Sequence, residues 1–540
     1  MKICLCYPAL TPGQKSKYGL QPLGVLYIGA LLRREGFEVE VLDADIDGLS
    51  IGETVRRILE MKPDLVGFSL MTPQLISSLA ASTLLKQARP ELPIVLGGAH
   101  IDSTKGDTFQ MADCFDFAVH GEGEHPLLKA CQAIRDHAVP GPAGVIENLQ
   151  ECLQDIPNVI YRDRETGKVI ENNAGAFIKV LDELAAVDYD MVDITKYSIP
   201  TMAGRYVISM MLSRGCPFKC TFCDAPITMG TKLRFWTMDR IIADIKHYKE
   251  KYGVTNFVFK DSTFTAKKKW AFEFCQRLID EKINIKWRCN TRANLVPPPL
   301  LNLMAQAGCY VINFGVESGD EETLKRIEKE VDLEEVVDAF NRCRKLGIRT
   351  YATFLMGNPG ETDETARRTI EFSKRIRPSL CMFFVSTAYP GTPMYDDALA
   401  AGEVEPRWWA KQAFDPTKNS AFQVRWGWTD AGALKFSNGF NAEYWQRKAT
   451  REWYLRPRFM WDTAIFTLMN PYFIRHLWNL GTEVLPFYKL RNLLPGRKIS
   501  ADERLQILQR CPSAPNWNTN GALARADLSA AGGASQSSPA

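Results

Sequence analysis

An excess of either charge is missing from this sequence: 66 lysines and arginines meet 63 aspartates and glutamates, for a formal net charge of +3. That balance gives no reason to expect a polyanion, and nucleic acid is set aside as a partner. Membrane-length hydrophobic runs are also missing, since no window approaches the roughly 18 consecutive apolar residues that a spanning helix requires. A soluble protein, at most peripheral to a membrane, is expected. The opening Met1-Lys2-Ile3-Cys4-Leu5-Cys6-Tyr7-Pro8 is too short an apolar run for a secretory leader and reads as a buried strand. Without an export signal the 14 cysteines do not form a disulfide framework, and reduced thiols in a cytoplasmic setting are expected. What is present is ordinary globular composition, 46% hydrophobic and 24% charged over 540 residues, which predicts two or three domains.

Short β-rich runs alternate with amphipathic helical patterns over residues 1–140. The runs are Ile3–Cys6, Glu38–Leu42, Leu65–Ser69, Ile94–Gly97 and Phe117–His120. This order predicts a doubly wound, Rossmann-like parallel sheet with its ligand at the carboxyl ends of the strands. Val139-Pro-Gly-Pro-Ala-Gly144 opens a linker, 141–204, that carries a small hairpin, Val159–Arg162 and Lys168–Ile170. Strand and helix patterns resume over 205–395 with strands at Tyr206–Leu212, Asn256–Lys260, Ile285–Cys289, Tyr310–Gly315, Arg349–Met356 and Met382–Thr387. Six β/α units predict a partial or complete TIM-like barrel with its chemistry at the carboxyl ends of the strands. Residues 396–511 are aromatic-rich and expected to be mainly helical, and the Ser/Ala/Gly/Asn-rich tail 512–540 is expected to be disordered.

Directly after the first barrel strand stands Ser213-Arg-Gly-Cys216-Pro-Phe-Lys-Cys220-Thr-Phe-Cys223-Asp224. At the cysteine frequency of this chain, a Cys-x3-Cys-x2-Cys array arises by chance with a probability on the order of 1%. Thiolates so spaced suit zinc or a 4Fe-4S cluster. Structural zinc needs a fourth ligand; no second Cys-x-x-Cys pair supplies it, although a distant histidine such as His247 could. Three thiolates on a cubane leave one iron open, which is a catalytic design. The other eleven cysteines, Cys4, Cys131, Cys275 and Cys343 among them, read as small buried hydrophobes.

This array on the first strand of a β/α barrel resembles the radical S-adenosylmethionine (SAM) superfamily. The resemblance implies that Cys216, Cys220 and Cys223 hold a 4Fe-4S cluster whose open iron chelates SAM, and that one electron cleaves SAM to a 5′-deoxyadenosyl radical. It extends over about 180 residues and implies a SAM pocket lined by Phe222, Asp261 and Ser262 in Asp261–Phe264, Arg292, Glu317 in Val316–Gly319, and Gly357 in Gly357–Thr362. Tyr389–Tyr395 matches the end of such barrels. On residue chemistry alone, Gly357 and Gly360 also suit a simple turn and Glu317 an ordinary surface acid. An electron donor such as flavodoxin or ferredoxin is implied with the cluster.

The N-terminal pieces Gln21–Gly24, Gly67–Pro73, Val95–His100 and Val119–Glu124 resemble the cobalamin-binding domain that precedes the barrel in one branch of that superfamily, as does the connector Leu181–Leu184 with Asp188. The resemblance implies a cobalamin site drawn from Ser69, Leu70, Gly97, Gly98, His100, Gly121 and Glu122. Many cobalamin domains carry Asp-x-His-x-x-Gly after the first strand; Tyr7–Pro12 stands there instead, and the similar Asp43–Gly48 offers no histidine. Cobalamin is therefore expected without a protein histidine below cobalt, the alternative being a domain that kept the fold and lost the cofactor.

The expected activity is cobalamin-dependent methylation of an unactivated carbon of a small molecule. Anaerobic oxidative cyclisation or hydroxylation of a porphyrin-like or lipid substrate is the alternative, and a cobalamin or redox sensor is the alternative of another class. No general base stands out, and nothing separates Cys289, Cys309 or the tyrosines, as hydrogen donors, from packing residues. Aromatics interleaved with cations at Arg407–Trp409, Trp426 and Trp428, Trp453–Trp461 and Tyr472–Trp478 suit a helical cap on the barrel, or a cover for a hydrophobic substrate or membrane surface.

Overall fold

The runs Ile3–Cys6 and Leu65–Phe68 are buried along their whole length, as strands covered on both faces require. In the computed structural model, which describes residues 1–13, 19–163, 165–199, 202, 206–411 and 433–462, they form the centre of a parallel sheet. Its strands are β1 (Lys2–Tyr7), β2 (Glu38–Asp43), β3 (Leu65–Ser69), β4 (Ile94–Gly97) and β5 (Phe117–Val119), followed by β6 (Val159–Arg162) and β7 (Val169–Glu171). The order is β2-β1-β3-β4-β5-β6-β7. The chain reverses direction across the sheet between β1 and β3, the place where ligands bind in doubly wound folds.

The hairpin β6–β7 was expected within the linker. It instead joins the N-terminal sheet, β6 pairing antiparallel to β5 through Phe117–Tyr161 and Val119–Val159. The cause is burial: Val159, Ile160 and Tyr161 are all buried, and an apolar hairpin beside an open sheet edge is stabilised by covering that edge.

The second sheet contains β8 (Ile208–Met210), β11 (Asn256–Phe259), β12 (Lys286–Thr291), β13 (Cys309–Glu317), β14 (Arg349–Met356) and β15 (Leu380–Val385), and a small ribbon, β9 (Ser213–Arg214) with β10 (Arg234–Phe235), lies beside it. All six strands are parallel in the order β15-β14-β13-β12-β11-β8, and β8 does not pair with β15. The barrel is partial. Its outer face packs on helices through a dense aromatic layer in which Phe259 and Phe264 lie 5.6 and 5.3 Å from Trp287. Cys289 and Cys309 belong to that layer, away from the lumen.

An open barrel has two strand edges whose peptide groups need partners. At β8 the Gln21 amide supplies them, donating to the Val207 carbonyl at 2.7 Å and accepting from Ser209 N at 3.0 Å. At β15 the helix Ala442–Tyr454 does so: Gln446 donates to the Phe383 carbonyl at 2.8 Å and Tyr454 to that of Cys381 at 2.7 Å. Part of the aromatic-rich region is thus packing material. Trp408, Trp409 and Trp453 are buried, whereas Trp461 is exposed. Trp426, Trp428, Tyr472–Trp478 and the tail 512–540 lie outside the described residues. Among the described residues no helix is long and apolar enough to cross a membrane.

Candidate active site at the meeting of the two sheets

The cysteine loop begins where β9 ends. Gly215 takes a left-handed backbone (φ 97°), the conformation for which glycine carries no steric penalty, and turns the chain inward. Three segments then pin the loop: Cys216 N donates to the Gly230 carbonyl at 3.0 Å, Thr221 N to Ile327 at 3.1 Å, and Met394 N to Thr221 at 3.0 Å. Cys216 and Cys220 are buried and Cys223 is partly buried. The Arg292 guanidinium donates to Cys220 Sγ at 3.5 Å and to the Glu330 carbonyl at 2.7 Å, and lies 4.2 Å from the Phe218 ring.

Burial pushes the Cys220 thiol up, Lys329 and Arg292 opposing it, and takes Cys223 up to about 12. Buried thiols of this kind become thiolates only when a cation arrives. Among the described residues no three His, Cys, Asp or Glu side chains gather around a single metal ion, and His247 is exposed on its helix. Three thiols on one loop are a donor set for a cluster with one open iron.

Several expected SAM-pocket residues converge here. Arg292 and Glu317 both act electrostatically on Cys220. Glu317 sits at a bulge in β13 with a left-handed backbone (φ 68°), and its buried carboxylate accepts from Lys329 Nζ at 3.0 Å. Asp261 is fully buried, accepts from Leu212 N at 3.2 Å and Ser213 Oγ at 2.5 Å, and leaves its second oxygen without a partner. Burial raises its carboxyl to about 6. Ser262 touches Met229 Sδ at 3.8 Å, and Phe222 is partly buried within the loop. Gly357 has a different part: a Cβ there would lie 2.6 Å from Ala442 Cβ, so its absence admits the helix that covers β15.

The N-terminal sheet turns its carboxyl edge toward this loop, and ion pairs hold it there. Arg214, just before the loop, reaches Glu122 at 2.8 Å and Glu124 at 2.5 Å, while Arg234 reaches Glu122 at 2.7 Å. Arg214 also lies over the Tyr27 and Trp236 rings at 5.3 and 5.6 Å. Burial works against the Arg214 charge, but Glu124 and Glu122 outweigh it and raise its pKa above the usual arginine value. Burial likewise opposes the Glu122 charge, and Arg234 and Arg214 hold its carboxyl below the usual range.

A partial barrel with three thiols at its mouth, faced by the carboxyl edge of a doubly wound sheet, is the arrangement that comparison with known proteins must explain. The sequence model of the Radical SAM superfamily matches residues 210–373, and that of the B12 binding domain matches residues 11–130. The chain is a radical SAM enzyme with an N-terminal B12-binding domain. It is 28% identical over 461 residues to an uncharacterized methyltransferase of Pyrococcus horikoshii, covering 85% of this chain and 93% of that one. It is 26% identical over 385 residues to the anaerobic magnesium-protoporphyrin IX monomethyl ester cyclase of Rubrivivax gelatinosus, covering 70% of this chain and 66% of that one. The fold matches that of the cobalamin-dependent S-adenosylmethionine radical enzyme OxsB, solved with aqua-cobalamin and SAM, at a TM-score of 0.62 and 16% identity over 94% of this chain and 74% of that one.

The B12-binding domain divides the expected cobalamin residues into two groups. Ser69, Gly97 and Gly98 are partly accessible at the carboxyl edge; their hydroxyl and bare peptide groups fit the polar periphery of a corrinoid and would hold it. The others are engaged by protein. Leu70 is buried, and a Cβ on Gly98 (φ 95°) would lie 2.7 Å from the Leu70 carbonyl. Gly121 N donates to Asp102 at 2.7 Å, and Glu122 is filled by Arg214, Arg234 and Ile178 N. His100 is buried, with Nδ1 3.0 Å from Thr72 Oγ1 and its ring edge-on to Trp409.

His100 makes a pH prediction. Burial lowers its pKa from 6.5 to about 3, so between those values the folded protein binds fewer protons than the unfolded chain. Its contribution to stability is complete above pH 6.5 and is lost as pH falls toward 3. By linkage, at pH 5 the loss is about 2 kcal/mol. Urea midpoints at pH 7 and 5 should differ more for the wild type than for His100→Asn; parallel shifts would refute this.

Several residues that matter here carry no local mark of their role. Lys329 and Arg234 lie in no motif, and Gln21, Glu124 and Arg214, though inside matched stretches, acquire their roles from partners on other elements.

Proposed function

We propose that this radical SAM enzyme methylates an unactivated carbon of a small molecule. The observation that carries the reading is the placement of the cysteine loop directly against the carboxyl edge of the B12-binding domain, held by the Arg214, Glu122 and Glu124 ion pairs. When bound, the 4Fe-4S cluster, SAM and cobalamin supply the electron, the hydrogen-abstracting group and the methyl carrier. The protein's part is to hold those groups and the substrate together and to keep water out. Cys216, Cys220 and Cys223 are the cluster ligands. Arg292 lies over Phe218 and braces Cys220; Lys329 holds Glu317 in its left-handed conformation beside them; Asp261 ties the start of the loop to the end of β11. Similarity to a relative named a methyltransferase over most of both chains supports the reading. A flavodoxin or ferredoxin is the proposed electron donor.

The test is an anaerobic assay of reconstituted, cobalamin-loaded protein with dithionite and SAM, following 5′-deoxyadenosine and S-adenosylhomocysteine separately. Both products are expected, and both should be lost when any of the three cysteines is changed to alanine. Absence of both from the wild type would end the proposal. Similarity to the anaerobic cyclase favours oxidative cyclisation as the second reading. Deoxyadenosine alone, with no label from methyl-labelled SAM in the product, would select it.

A further inference from the structure

The inward side of the barrel is not apolar throughout. Along β12, Trp287 and Cys289 are buried, while Arg288 and Asn290, alternating with them, are only partly buried. The same alternation places Asn313 of β13, Tyr351, Thr353 and Leu355 of β14, and Met382 and Phe384 of β15 on the lumen side. Val207, Val258 and Val311, with Ile199 and Met202, close the floor. Arg288 is in register with Val258 and Val311 at that level, its guanidinium 5.3 Å from the Tyr351 ring. One layer higher, Asn313 donates to Asn290 at 3.1 Å and leaves its own buried carbonyl oxygen without a partner.

Lys260, directly after β11, faces this space. Its side chain is exposed to solvent. Its ammonium makes no hydrogen bond or ion pair with any described residue, and the charge acting on it is that of Arg288, of the same sign. A lysine beside another cation, with no carboxylate of its own, bears a like-charge cost. An anion from a ligand offsets that cost with charge-assisted hydrogen bonds.

We propose that the lumen binds an anionic group of the substrate, a carboxylate or a phosphate, on Lys260, with the amides of Asn290 and Asn313 beside it. This rests on the reading above, that the barrel works on a small molecule. Desolvation and the like charge of Arg288 lower the Lys260 pKa to about 8, in keeping with a lysine whose counter-ion arrives with the ligand. Arg292, which reaches Cys220, lies two residues beyond Asn290, roughly 7 Å along the barrel wall. The substrate therefore spans on the order of 7 Å between its anion and the carbon presented to the cysteine loop. Leu355, Met382 and Phe384 give that span an apolar wall.

The test uses the full-length, cluster-reconstituted chain saturated with SAM and titrated calorimetrically with octanoate, octyl phosphate and octanol. At least one anion should bind ten times more tightly than octanol, its identity separating carboxylate from phosphate, and Lys260→Met should abolish the preference. Equal binding of octanol, a preference that survives in Lys260→Met, or failure of either anion to bind would each overturn the proposal. So would displacement of a bound anion by SAM, which would assign Lys260 to SAM's own carboxylate. Trace reductive methylation of the unaltered chain at pH 8, read by mass spectrometry, guards against a variant that misfolds. The anion should slow labelling of Lys260 at least fivefold relative to exposed Lys62, and an unchanged rate counts against the site. Deoxyadenosine formed by the wild type without anion binding would defeat this inference alone; anion binding without cluster or deoxyadenosine would defeat the methyltransferase reading and leave the anion site standing.

Discussion

Replacing Arg214 with methionine is expected to destabilise the protein by about 3–5 kcal/mol, the cost of leaving buried charge unpaired. Arg214 and its two partners, Glu122 and Glu124, have side chains only 5–6% exposed. Glu122 keeps Arg234 in the variant, whereas Glu124 pairs with no other cation among the described residues. The double variant Arg214→Met/Glu124→Leu should recover most of the loss, because an apolar pair of similar volume pays no desolvation. An exposed control, Arg56→Met, removes a pair whose side chains are 61% and 58% exposed and should cost no more than about 0.5 kcal/mol. Urea unfolding measures all three, and an Arg214→Met loss no greater than that of Arg56→Met would dismiss the argument.

Gly215→Ala is expected to halve, at least, the iron retained after reconstitution. Two penalties meet at this residue: a left-handed backbone, worth roughly 1–2 kcal/mol for a residue with a Cβ, and a Cβ that would lie 2.2 Å from the Lys232 carbonyl oxygen. A backbone atom cannot swing aside as a flexible side chain can, so the loop itself must move, and Cys216 is the next residue. Gly253→Ala separates the penalties, since Gly253 is also left-handed (φ 63°) but a Cβ there meets nothing within 4 Å. It should lose only about 1 kcal/mol and retain its iron. Equal iron content in the two variants would show that the clash is relieved without disturbing the cysteines.

How far such effects can be foreseen from sequence depends on the distance along the chain between the groups involved. The barrel strands were legible because apolar and β-branched runs recur between amphipathic helices, and Arg349–Met356 occurs where it was expected. The cysteine loop was legible because three identical side chains within eight residues are rare by chance and must be close in space. His100 and Glu122, by contrast, stand among glycine-rich turns that suit a ligand, and nothing local reveals that Trp409 and Arg214 take up those positions. The hairpin was recognised as a hairpin, but not as part of the N-terminal sheet, because an antiparallel pair carries no mark of the edge it will cover.

The amino-acid order by itself determined the alternation of strand and helix in two α/β units, the left-handed glycine turns and the grouping of three thiols on one loop. Each depends on steric or hydrogen-bonding rules that act over a few residues. Only the tertiary structure decided that Arg214 meets Glu124, 90 residues away, that Gln21 closes an edge 188 residues away, and that Lys260 faces a lumen beside Arg288. Those contacts arise from the packing of one sheet against another. The energy of a charge or an unpaired amide is set by what surrounds it in space, and no short stretch of sequence contains that information.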